Sequence, residues 1–177
     1  MTDSDDAKDD AAAGQGWAAS RFPALRHRQF RWFLAGQAVS VVGSWMQQAA
    51  LFWHVQTLTR AIGSEYWLGL TAAAASLPIV VFSPLGGAVA DRMARRTLIA
   101  ATQAAAMVSA FIFSWLVWID GATMTPVLLF AGFNGLVMAF DIPARQAFAV
   151  EMVGRRDLMS GIALNSSIFN LGRLLGP

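Results

Sequence analysis

The sequence has 177 residues, of which 56% are hydrophobic and 14% charged, and a net charge of +2. Its mean hydropathy is +0.48 and its pI is near 9.9. A soluble domain carries about 25% charged residues, so an ordinary soluble fold is excluded. The arginines cluster at the ends of apolar runs, which excludes a nucleic-acid surface. No cysteine is present, which removes disulfides, thiolate metal sites and a cysteine nucleophile.

Residues 1–16 are rich in Asp, Ala and Gly and read as a disordered cytoplasmic tail. Acidic residues at the start and a long first apolar run do not fit a cleavable signal. Residues 17–31 mix Trp17, Phe22 and Leu25 with Arg21, Arg26, Arg28 and Arg31. They read either as an interfacial segment or as the basic flank of a first span. The expected division is a tail over 1–29 and a transmembrane bundle over 30–177, with spans near 32–58, 67–90, 97–119, 125–146 and 158–177. Each is close to the roughly 20 residues needed to cross a bilayer.

Span 1 is longer than a hydrocarbon core requires, so it tilts or protrudes. Its polar residues Gln37, Ser40, Ser44, Gln47, Gln48 and His54 fall on one stripe of a helix. That stripe needs protein or water, not lipid. In span 2, Ala72–Ala75 permits close helix contact. Pro78 and Ser83-Pro84 predict a bend, and Gly86-Gly87 is expected to mark the helix end. Span 3 is the least polar and reads as lipid-facing, with Trp115 and Trp118 at an interface belt. Asp120-Gly121 makes a short outer turn. Span 4 places Asn134, Asp141 and Arg145 on one face, and Pro143 predicts a kink or the exit of the helix. In span 5, Gly161, Gly172 and Gly176 share one side, with Asn165, Ser166, Asn170 and Arg173 beside them.

Between spans 2 and 3 the run from Gly87 to Arg96 holds Asp91, Arg92, Arg95 and Arg96, and it reads as a tight charged turn. The tail, this turn and the 4–5 loop (Arg145, Arg155, Arg156) hold nearly every arginine, while the outer loops hold Arg60. Lys and Arg near span ends stay on the cytoplasmic side, so the N-terminus is expected inside the plasma (inner) membrane. Span 5 is still apolar at Pro177, and the chain is expected to be a fragment.

Polar groups inside lipid need a reason. Arg173 lies about 15 residues into span 5, roughly 22 Å along the helix. It reads as a cation on a central pathway or as one that snorkels to headgroups. Asp141 could carry a proton, or it could form a static pair with Arg145 one turn away. His54 reads as interfacial. The Gln37–Gln48 stripe could line a cavity or bond to neighbouring helices, and Gly172-x-x-x-Gly176 reads as a packing contact. Nothing matches G-x-x-x-x-G-K-S/T, a metal-ligand spacing or a catalytic triad, so no enzyme, cofactor or metal is expected.

Gly87-x-x-x-Asp91-Arg92-x-x-Arg95-Arg96 resembles the helix 2–3 signature of the major facilitator superfamily, G-x-x-x-D-R/K-x-G-R/K-R/K, with Ala94 at the second glycine. In that motif Gly87 would let helices approach, and Asp91 would cap a neighbouring helix N-terminus. The stretches Phe30–Gln37, Gly43–Gln47, Asp141–Ala147 and Ala163–Asn170 resemble the exporter group that includes enterobactin and macrolide efflux proteins. Gly172-Arg173-x-x-Gly176-Pro177 resembles the core of the helix-5 antiporter signature, with Ala163 where a glycine is usual. The helix-4 signature R-x-x-Q-G is not met, since Ala131 stands at its arginine and Asn134-Gly135 at its Gln-Gly.

The resemblance covers about residues 26–177 and implies an all-α twelve-helix transporter of two halves, of which about five helices are here. It implies alternating access and proton-coupled export of small amphiphilic molecules of drug or siderophore type. Gln37, Ser44, Gln48, Asn134, Asn165 and Arg173 would line the path, and Asp91, Arg92, Arg95 and Arg96 would form a cytoplasmic latch. The implied partners are the lipid bilayer, a small-molecule substrate, protons and a missing C-terminal half. The alternatives are a truncated membrane module without transport of its own and an uptake transporter.

Overall fold

The structure is a computed structural model that describes residues 23–26, 28–60, 63–154 and 158–175. The acidic tail, Trp17, Arg21 and Phe22, the loop arginines Arg155 and Arg156, and Gly176 and Pro177 lie outside the described residues. The described chain is all α-helical and has no strand. A 3-10 turn, Pro23–Arg26, leads into α1 (Arg28–Thr59), α2 (Ser64–Arg92), α3 (Arg95–Trp118), α4 (Met124–Val153) and α5 (Leu158–Leu175).

Three of these helices are long and apolar enough to cross a membrane: α2 over Glu65–Arg92, α3 over Arg95–Trp118 and α4 over Met124–Val153. The sequence predicts five spans. Helices α1 and α5 form, but the polar stripe of α1 and the Asn165, Ser166, Ser167, Asn170 and Arg173 of α5 keep both out of that apolar set. Val80 and Leu85 of α2, Phe111 and Trp115 of α3 and Leu129 of α4 are all exposed. In water such faces would associate; in lipid they are the solvated side.

Helix ends differ from expectation where packing overrides local signals. Gly86-Gly87 does not end α2, which continues to Arg92 with Pro78 and Pro84 inside it. Pro143 is likewise inside α4, which runs on to Val153 instead of leaving at that point. Each proline removes one bond of the helix ladder, and neighbouring turns hold the helix together. The turn at Asp120-Gly121 is present, and Asp120 rather than Gly121 takes the left-handed backbone, φ 53°. Asp tolerates this conformation because its short side chain can bond locally.

The described chain divides into two compact units, one of residues up to 46 with those from 149 onward, the other of residues 47–148. In the second, Leu51 and Val55 of α1 pack with Val127, Phe130 and Ala131 of α4, backed by Trp67 and Leu68 of α2. Phe113 of α3 stacks on Phe130 with ring centroids 4.3 Å apart. Helices α2 and α4 meet backbone to backbone. A Cβ on Gly86 would collide with the Ala139 carbonyl, and one on Gly135 would collide with that of Ala75. Small residues permit this approach, which gains van der Waals contact where lipid offers no hydrophobic drive. A smaller cluster of Ala90, Leu98 and Ala144 closes the Arg-rich end of the unit.

In the first unit, Ala24, Phe30 and Val153 are buried together, with Phe33, Leu34 and Leu164 against them. The Ala24 N–H donates to Ser160 Oγ at 3.4 Å. The basic stretch before α1 is therefore packed on the chain at this point.

Candidate functional site

Asp141 has hydrogen-bond donors on both carboxylate oxygens. Its carboxylate is 7% exposed. Oδ1 accepts from Thr102 Oγ1 at 2.7 Å and from Gln103 Nε2 at 3.2 Å. Oδ2 accepts from Arg145 Nε at 2.5 Å, one helical turn along α4. The expected Asp141–Arg145 pair is therefore formed. Thr102 and Gln103 were not foreseen, because span 3 reads as a lipid-facing helix. Its N-terminal half instead supplies two donors to a buried carboxylate, and the adjacent polar pair Thr102-Gln103 in an apolar run was the available signal. A buried carboxylate with donors from Thr102 and Gln103 on one helix and Arg145 on the other pins α3 to α4.

The charged turn is tighter than expected. Asp91 and Arg92 are the last residues of α2, Arg95 and Arg96 are the first of α3, and Met93-Ala94 alone joins them. Asp91, Arg92 and Arg96 are exposed and Arg95 is half-buried. Gly87 does not mediate close approach, since a Cβ there meets open space; Gly86 does so instead. The adjacent N-terminus is capped by Ala94 without a side-chain hydrogen bond, so Asp91 does not cap α3.

The residues expected to line a pathway are only partly brought together. Gln37 Nε2 donates to Asn165 Oδ1, joining α1 and α5. Gln37 is 9% exposed, and its Oε1 is buried with no hydrogen-bond partner. The Arg173 guanidinium lies over the Trp45 ring, 6.0 Å from its centroid. Phe169 meets the same ring edge-on at 5.6 Å. Gly172 is buried, and a Cβ on it would press into Val41 and meet Trp45, so this half of the predicted glycine contact is realised. Ser44 turns back to the Ser40 carbonyl at 2.9 Å, and Asn134 to that of Phe130 at 3.0 Å. These two satisfy their own helices instead of presenting donors to a neighbour. Gln48 is exposed.

His54, expected near the outer interface, is half-buried. Its Nε2 lies 3.0 Å from the Ala122 carbonyl, and its ring stands edge-on to Phe113 at 6.0 Å. It ties α1 to the turn before α4.

Comparison with known proteins follows the same lines. The family described as transmembrane secretion effector matches residues 19–177. The staphyloferrin A transporter of Staphylococcus aureus is 23% identical over 148 residues, covering 83% of this chain and 36% of that protein. Macrolide efflux protein A of Streptococcus pyogenes is 28% identical over 150 residues, covering 81% of this chain and 35% of its own. The chain thus spans about a third of the length of these relatives. No solved structure matches it. Five apolar or half-apolar helices, glycine-mediated contacts and a match over nearly the whole chain agree: the protein is a membrane protein that belongs to the transmembrane secretion effector family of major facilitator transporters.

Proposed function

We propose that the chain is the N-terminal part of a proton-coupled exporter of small amphiphilic molecules, working by alternating access in the inner membrane with its N-terminus cytoplasmic. The observation that carries this reading is the family match over residues 19–177, together with relatives named for siderophore transport and macrolide efflux. The polar α1–α5 face supports it, because buried amides and a cation in apolar helices are the groups that handle polar cargo. Gln37 and Asn165, with Arg173, are the pathway residues in this reading, joined by Ser44, Gln48 and Asn134 when the helices rearrange. Gly87, Asp91, Arg92, Arg95 and Arg96 act as a cytoplasmic latch that holds one access state. Gly172, Gly176 and Pro177 serve as the packing core of helix 5. The relatives' additional length supplies the second half of the transporter.

The test is efflux from membrane vesicles, with a macrolide and a siderophore as cargo, with and without an uncoupler. Uncoupler-sensitive efflux is expected, and Asp91→Asn should cut it while leaving the protein level nearly unchanged. Efflux that ignores the uncoupler overturns proton coupling. Equal loss of protein and transport in Asp91→Asn returns the charged turn to a role in topology alone.

A further inference from the structure

Arg173 is an exposed cation in the last turn of α5, and among the described residues no carboxylate lies within ion-pair distance of it. A guanidinium with no counter-ion keeps its N–H donors open to an anion. The only described group addressing it is the face of Trp45, which offsets part of its charge but leaves the planar fork of N–H donors open. The surroundings are built rather than accidental. Gly172 lets α5 come down onto Val41 and Trp45, which sets the indole under the guanidinium. Phe169, one turn earlier on α5, holds the same indole edge-on. Two turns below on both helices, the Gln37–Asn165 bond fixes their register. The result is a guanidinium over the Trp45 ring, with Phe169 edge-on to that ring, and Arg173 and Phe169 are both exposed.

We propose that Arg173, Trp45 and Phe169 form a subsite for the carboxylate of an aromatic amphiphile. The guanidinium takes the carboxylate through paired N–H donors, and the two rings take the apolar body. A lipid headgroup phosphate carries the same anionic chemistry, so the source must be separated by experiment. The proposal rests on the transporter reading only in treating the ligand as cargo, since binding itself needs no transport.

The 177-residue chain is placed in nanodiscs of pure phosphatidylcholine, and 1-pyrenebutyrate is titrated by energy transfer from tryptophan to pyrene. The uncharged pyrenebutyramide is titrated in parallel. The carboxylate is expected to bind about tenfold more tightly than the amide. Arg173→Gln should erase that difference, Arg173→Lys should keep part of it, and Trp45→Leu should weaken both probes. Elution of each variant as a single species at the parent's volume guards against misfolding. Equal affinity for the two probes, or a carboxylate preference that survives Arg173→Gln, overturns the subsite. In nanodiscs with added phosphatidylglycerol the preference should persist; its loss there assigns Arg173 to lipid phosphate and overturns the cargo role. Lost binding preference with intact macrolide efflux rejects the subsite alone, whereas intact preference without efflux rejects the transporter reading alone.

Discussion

The α2–α4 contact and the α1–α5 contact are built on opposite plans. Between α2 and α4 the backbones touch through Gly86 and Gly135, and no polar side chain intervenes at those points. At the Arg-rich end of that unit, the Asp141 carboxylate has donors on both oxygens. Between α1 and α5 the contact is polar and incomplete. Gln37 uses one side of its amide on Asn165 and leaves Oε1 buried without a partner. Arg173 rests on an aromatic ring and, among the described residues, has no counter-charge. A joint whose groups are all satisfied has nothing to gain by opening. A joint with unsatisfied groups gains by accepting a ligand or another helix. The difference marks α2–α4 as a closed joint and α1–α5 as one with groups left over.

Asp141→Ala is the strongest way to break this comparison. It leaves Arg145 half-buried beside donors that have lost their acceptor, and removing one partner of a buried pair costs about 3 kcal/mol. Thermal unfolding in detergent should show the loss, and an unchanged midpoint would mean that the carboxylate is not a pin. Gly86→Ala and Gly87→Ala sharpen the scaffold side, being neighbours with opposite expectations. The first forces α2 off Ala139 at a cost of about 2 kcal/mol. The second adds a methyl to open space and is neutral or stabilising by up to about 1 kcal/mol. Equal effects would contradict the backbone contact. The smallest change belongs to the polar joint. Replacing both Gln37 and Asn165 with Leu removes one bond and one orphaned acceptor together, so stability should move by no more than about 0.6 kcal/mol, while efflux falls. A large destabilisation would make that pair structural.

Much of this was legible in the sequence because lipid simplifies the reading. Uncharged runs gave the helices, and Asp141 and Arg145 at i, i+4 gave their pair. The stripe on α1 read equally as a cavity lining or as bonds to neighbouring helices, and Gln37 makes one such bond, to Asn165. The misses share one cause. Gly86 and Gly87 are indistinguishable in sequence, yet only Gly86 faces α4, and which neighbour faces inward is decided by packing. Thr102 and Gln103 sit in a helix whose average is greasy, and an average hides two residues that face a carboxylate. Ser44 and Asn134 have the right chemistry for a pathway but bond back to their own helices, an option open to any short polar side chain.

Two of the pairs that join α1 and α5, Gln37 with Asn165 and Trp45 with Arg173, have the same sequence separation, 128. The helices therefore run parallel and in step, like two racks with meshed teeth. Sliding one by a turn would set Asn165 against Val41, strand both amides, and carry Gly172 away from the bulk of Val41 and Trp45. Each stranded amide costs about 1–3 kcal/mol, so longitudinal travel is blocked at both ends of the contact. Rolling about the shared seam keeps every tooth engaged. A rotation of this pair would swing Arg173 sideways while keeping the Gln37–Asn165 and Trp45–Arg173 contacts in register.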